Sequence, residues 1–73
     1  MHILDLHGIK HEDVQKIMDS FLYENMKNNK KEVEIITGIS NQMKEIVSNV
    51  AKDYLMEVKD DPINPGKVFI TLV

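Results

Sequence analysis

Cysteine, tryptophan and arginine are all absent from the 73 residues. Without cysteine there is no disulfide framework and no thiolate metal site, which fits a reducing cytoplasm. All nine basic residues are lysines. Arginine supplies the rigid fork that reads guanine and clamps phosphate, so its absence argues against sequence-specific readout of a duplex. The two phenylalanines and two tyrosines are the only aromatics. Of the tyrosines only Tyr23 is placed to reach solvent, which leaves no platform for stacking single-stranded bases. No apolar run approaches the ~20 residues that span a bilayer. The N-terminus also lacks the basic-then-apolar pattern of a signal peptide. Positive charge is in deficit, with twelve acids against nine lysines and a net charge of −3. Nucleic-acid binders ordinarily carry a basic surface, so tight unaided duplex binding is not expected.

What is present is the composition of an ordinary globule, 42% apolar and 29% charged, read as one domain over residues 1–73. His2–Leu6 reads as a short, mostly buried strand. Val14, Ile17, Met18, Phe21, Leu22 and Met26 recur at intervals of three and four, which predicts an amphipathic helix over His11–Asn28. Glu12 and Asp13 suit its start and Lys27, Lys30 and Lys31 its end, although Lys10 is a poor N-cap. Asn28 and Asn29 supply a turn, and Val33–Thr37 forms a second strand. Ser40 or Asn41 caps a second helix whose stripe is Met43, Ile46, Val47, Val50, Ala51, Tyr54 and Leu55. Met56–Lys59 is a third strand. Asp60-Asp61-Pro62 and Asn64-Pro65-Gly66 are loop chemistry, and Val68–Val73 is the last strand. Met26 and Met43 are expected as adaptable core filler.

The order strand, helix, strand, helix, strand, strand implies an α+β two-layer sandwich with two helices on one face of a four-stranded mixed sheet. Right-handed crossovers make the first two connections parallel, and the short final connection turns the last strand antiparallel. Both helix N-termini and the carboxyl ends of the first two strands then share one edge, where ligands bind in such sheets. Asp5, His7, Gly8, Lys10, Thr37, Gly38, Ser40 and Lys44 belong to it. Asn64, Gly66 and Lys67 join them if the last strand starts there. Lys27, Lys30 and Lys31 fall at the opposite edge.

Chemistry concentrates in Leu4-Asp5-Leu6-His7-Gly8. On a strand, residues two apart face the same way, so Asp5 and His7 are expected on one face. Gly8 lets the chain turn sharply before the first helix. Free N–H groups and the helix dipole favour an anion there, and Ile35-Ile36-Thr37-Gly38 repeats the design at the second junction. Histidine titrates near neutrality and can take or give a proton in phosphodiester cleavage. Asp5 can orient the imidazole or hold a divalent cation. Thr37 and the Gly38 amide are expected to hold the phosphate. The plainer reading makes Asp5 a cap at the strand end and His7 a hydrogen-bonded structural residue. His2, His7 and His11 are too few and too scattered for a zinc site. Ser40 is better explained as an N-cap than as a nucleophile.

With these motifs the chain resembles the small MutS-related (Smr) domains, which begin with Leu-Asp-x-His-Gly, here Leu4–Gly8. The family carries Thr-Gly-x-Gly or His-Gly-x-Gly after its second strand. Here Thr37-Gly38-Ile39-Ser40 has serine in place of the second glycine. Asn64-Pro65-Gly66 matches the Asn-x-Gly often found before the last strand. The resemblance implies the fold of the C-terminal domain of translation initiation factor three. It further implies nucleic-acid binding, in several members endonucleolytic cleavage of RNA or DNA, with Asp5 and His7 as the catalytic pair. Mg2+ or Mn2+ is the only cofactor such a reading admits. The Ser40 departure, the missing arginines and the acidic balance favour the alternative, a non-catalytic nucleic-acid or protein-interaction module. The expected ligands are RNA or structured DNA, bound weakly by this domain alone, with a recruiting protein partner and no membrane association.

Overall fold

A computed structural model describes residues 2–72. The elements are β1 (Ile3–Asp5), α1 (His11–Lys27), β2 (Glu32–Ile36), α2 (Asn41–Asp53), β3 (Glu57–Asp60) and β4 (Lys67–Thr71). The sheet order is β1-β2-β4-β3. β2 lies parallel to β1, and β4 runs antiparallel to both β2 and β3. The last strand therefore inserts between β2 and β3, as the only strand of its direction. This is the α+β architecture expected from the element order.

Side-chain alternation builds the core. Val33 and Ile35 of β2 pair in register with Ile70 and Val68 of β4, and all four are buried on one face. Val14, Met18 and Leu22 of α1, with Met43, Val47, Val50 and Ala51 of α2, cover that face. Burying such a stripe is what holds helices this short in place. Asp5, Glu32, Glu34, Glu57, Lys59 and Lys67 alternate onto the other face, which no helix covers. Lys67 there reaches Glu34 at 3.2 Å and Asp61 at 3.5 Å, and lies 5.5 Å from the centre of the Phe69 ring.

The two helices end alike. After α1, the Lys30 amide bonds the Asn25 carbonyl and the Asn29 amide bonds that of Met26, with Asn29 at φ 60. After α2, Met56 bonds Ala51 and Leu55 bonds Lys52, with Leu55 at φ 58. This double closure turns the chain through one left-handed residue, a place glycine or asparagine fills readily and leucine does not.

Three sequence expectations need correction here. Tyr54 and Leu55 lie beyond α2 rather than on its buried stripe. Leu55 is 96% exposed because the left-handed turn takes it off the helix surface. Tyr54 is partly exposed, so Tyr23 is not alone in reaching solvent, and its hydroxyl donates to Asp19 at 2.6 Å across the helix pair. That bond to an anion pushes the Tyr54 hydroxyl above its ordinary pKa, with loss of solvent a smaller cause. Met26 is 46% exposed, whereas Met43 is core as expected. Asn25 takes the buried place on the last turn of α1. Its Nδ2 donates to the Phe21 carbonyl at 2.8 Å, while Oδ1 finds no partner among the described residues. Val73, assigned to the last strand, lies outside the described residues.

Candidate functional site

Three loops meet at the sheet edge where β1 and β2 end and β4 begins. They are Leu6–Lys10, Thr37–Ser40 and Asp61–Gly66. Ile36, the last residue of β2, pairs with Lys67, the first of β4, and this register brings the second and third loops together.

Gly66 ties them. Its carbonyl accepts the Thr37 amide at 2.8 Å and the Gly38 amide at 3.0 Å. The buried Thr37 hydroxyl lies 2.9 Å from the Gly38 carbonyl and 3.2 Å from that of Gly66. The Thr37 hydroxyl and the Gly38 amide, expected to hold phosphate, are thus occupied in joining the two loops. Asn64 completes the tie, its Oδ1 accepting the Gly66 amide at 2.8 Å. Asp61 Oδ1 accepts the amides of Ile63 at 2.8 Å and Asn64 at 3.1 Å. Those two bonds, more than Lys67 beside it, hold the Asp61 carboxyl below the usual carboxylate range. Glu34, with Asp61 in support, raises Lys67 above the usual lysine value. Lys67 reaches the expected edge, but its charge is spent on those two acids.

β1 stops at Asp5, and His7 lies in the turn that follows, so the two do not share a strand face. Leu6 continues the alternation into the core and still donates its amide to the Ile36 carbonyl at 2.8 Å, and the chain turns away only at His7 and Gly8. The Asp5 carboxylate accepts the backbone amide of His7 at 2.9 Å. It stabilises the turn rather than orienting the imidazole, which is the plainer of its two expected roles. Gly8, at φ 82, carries the chain on to Ile9, whose amide bonds the Leu6 carbonyl at 3.0 Å. The exposed His7 ring instead packs against Gly38, where a Cβ would stand 3.2 Å from Cδ2. Gly38 itself has φ 68. Gly38 of the second loop thereby makes the seat for an exposed imidazole of the first, and Gly66 of the third loop lies behind Gly38.

Around that ring lie both helix N-termini. Ser40 caps α2, its Oγ accepting the Met43 amide at 3.1 Å. Lys10 precedes α1 with no side-chain cap, and only the Asp13 amide of that first turn bonds back to Lys10. Lys10 and Lys44 make no ion pair among the described residues, where Lys67 accounts for both salt bridges. An open groove of about 650 Å³ runs from Gly8, Ile9 and Lys10 along α1 to Lys16 and Ile17. Lys16 was not singled out from sequence, since on the wheel it reads as one more solvated position. Among the described residues no three His, Asp or Glu side chains come together as a metal site. Asp5 would be a lone carboxylate for a divalent cation.

The Smr domain family matches residues 4–63. The chain belongs to the Smr family. The match runs from the first motif through the second helix and third strand, and stops one residue short of Asn64-Pro65-Gly66. Among solved structures, the solution structure of the SMR domain of NEDD4-binding protein 2 superposes with a TM-score of 0.76. The two are 22% identical, over all of this chain and 86% of the other. At that identity the likeness establishes the fold. No curated protein matches the chain. Smr domains are a family generally linked to nucleic-acid binding. No helix of the described residues is long and apolar enough to cross a membrane.

Proposed function

We propose that this Smr domain binds the backbone of RNA or structured DNA at the three-loop edge, with the His7 imidazole against a phosphate. The observation that carries this reading is the exposed His7 ring, seated on Gly38 beside two helix N-termini. Unpaired N–H groups at a helix start favour an anion, and the α1 start has no side chain competing for them. Gly8 gives the ligand close access to the backbone there. Lys10 and Lys44 supply the free positive charge, Ser40 orders the α2 start, and Thr37, Gly38, Asn64 and Gly66 hold the loops in place. Lys67 acts through the fold, not as a free cation.

The charge inventory sets the strength. Two free lysines release few counterions, so affinity is modest and falls only gently with salt. A recruiting protein would supply the remainder. Cleavage is the second reading, favoured by the imidazole itself. Both ring nitrogens lack a hydrogen-bond partner among the described residues, leaving one to accept a proton and the other to donate one. In this reading the imidazole acts without Asp5, whose carboxylate accepts the His7 amide.

The test combines binding and cleavage of fluorescent single-stranded RNA, duplex DNA and branched DNA, in Mg2+, Mn2+ or EDTA. Wild type is compared with His7→Ala and with Lys10→Glu/Lys44→Glu. Weakened binding in both variants supports the interface. Cleavage that vanishes in a folded His7→Ala protein makes the domain a nuclease and identifies its metal dependence. Binding that neither variant alters refutes the site.

A further inference from the structure

Folding does not account for Ile39 and Ile63. They are 86% and 90% exposed, on the two loops that Gly66 ties together, and Ile39 directly follows the Gly38 on which the His7 ring rests. Neither is on a floppy segment. Ile39 stands between the Gly38 amide, bonded to Gly66, and the Ser40 cap of α2. The Ile63 amide is held by Asp61 between Pro62 and Asn64. Both side chains are branched at Cβ and stiff at χ1, so little freedom is lost when they enter a ligand. The neighbouring loop positions are polar, glycine or proline, which leaves these two as the apolar projections of the edge.

Charge gives them a task. With Lys67 neutralised, the phosphate contacts available near His7 come from Lys10 and Lys44, which corresponds to a salt slope of about −2. Contacts that do not depend on salt must then carry selectivity. Aliphatic side chains enter between base steps as wedges, and unstacking a continuous duplex to admit them costs a few kcal/mol per step. A base already unpaired or displaced removes most of that cost.

We infer that Ile39 and Ile63 are wedge residues that contact bases, and that they direct this edge to nucleic acid containing an unstacked position. A bulge or mismatch is preferred over a continuous duplex. The inference rests on the nucleic-acid reading above and adds its selectivity.

Hairpins with and without a single-nucleotide bulge, in DNA and RNA form, carry 2-aminopurine beside the bulge. Affinity is read by anisotropy, and base unstacking by 2-aminopurine fluorescence. Wild type is expected to bind the bulged hairpin at least about tenfold more tightly, a difference of about 1.4 kcal/mol, and to brighten the probe. Ile39→Ser/Ile63→Ser should bring the bulged-to-continuous ratio near one and abolish the brightening. Thermal unfolding checks that the variant folds, and each single substitution should give an intermediate ratio. Retention of the wild-type ratio and brightening by the double variant overturns the inference and leaves the binding site standing. Absence of nucleic-acid binding by wild type overturns both. Sedimentation showing that the two isoleucines mediate self-association, with no effect on the ratio, overturns the inference in favour of a protein contact.

Discussion

The seat of His7 offers the sharpest test of the local physics. Gly38 and Gly8 both lie in the left-handed region, at φ 68 and 82. Alanine at either position carries a backbone cost of about 1–2 kcal/mol. The surroundings differ. A Cβ on Gly8 meets nothing within 4 Å, whereas one on Gly38 stands 3.2 Å from His7 Cδ2. The less free unfolded chain of the alanine variants offsets about 0.5–1 kcal/mol of this, so Gly8→Ala and Gly38→Ala should lower Tm by about 2–8 °C, at roughly 4–8 °C per net kcal/mol for a domain of this size. The ring is the weaker partner of the clash, because its face is exposed and it can swing away for little energy. Gly38→Ala should consequently shift the His7 ring resonances strongly and weaken nucleic-acid binding beyond what its loss of stability explains. Heteronuclear NMR with calorimetry and anisotropy would read all three quantities. Wild-type Tm in Gly38→Ala, or equal displacement of the His7 ring in both variants, would refute the reasoning.

Other consequences are independent of the ligand. Leu55→Gly relieves a left-handed cost of about 1–2 kcal/mol and returns about 0.5–1 kcal/mol through the freer unfolded chain. Urea unfolding should show a net gain of up to about 1 kcal/mol. Leu55→Ala, which keeps the Cβ, should show none, so an equal gain there would assign the effect to lost apolar surface instead. Asn25→Leu removes a buried, unpartnered acceptor at similar volume and should hold or raise stability by about 1 kcal/mol; a loss above 2 kcal/mol would mean that Oδ1 has a partner in solution. Asp61, held below the usual carboxylate pKa by the Ile63 and Asn64 amides, contributes stability that is complete above the unfolded value of about 3.9. That contribution disappears as pH falls through the depressed folded value. The Ile63 and Asn64 amide resonances should accordingly stay in place down to about pH 4 and move only below it. Movement near pH 5 would contradict the assigned bonds.

The site was legible in outline. Leu4–Gly8, Thr37-Gly38 and Asn64-Pro65-Gly66 all reach one edge, because the element order and the antiparallel last strand leave their loops no other place. What each polar group does there was not legible. Asp5 and Thr37 are the residue types that hold ligands, and both are equally suited to holding loops. Lys67 sits at the right edge on a strand whose alternation turns it toward Glu34. Lys16 and Ile63 carry no motif and Ile39 fills the variable position of one, and the exposure of the two isoleucines is a property of the assembled surface.

The chain by itself determined the elements, their order and the buried stripes. Helical and strand periodicity are local properties, written in spacings of two, three and four residues. It determined the Ser40 cap for the same reason, since donor and acceptor are three residues apart. Only the tertiary structure decided which hydrogen-bonding groups of the edge are free. The Gly66 carbonyl takes the Thr37 and Gly38 amides from 29 and 28 positions away in the chain, and no local pattern encodes such a pairing. It arises because β4 enters the sheet beside β2, and that single insertion makes Thr37 and Gly38 a brace between loops and leaves His7 exposed upon it.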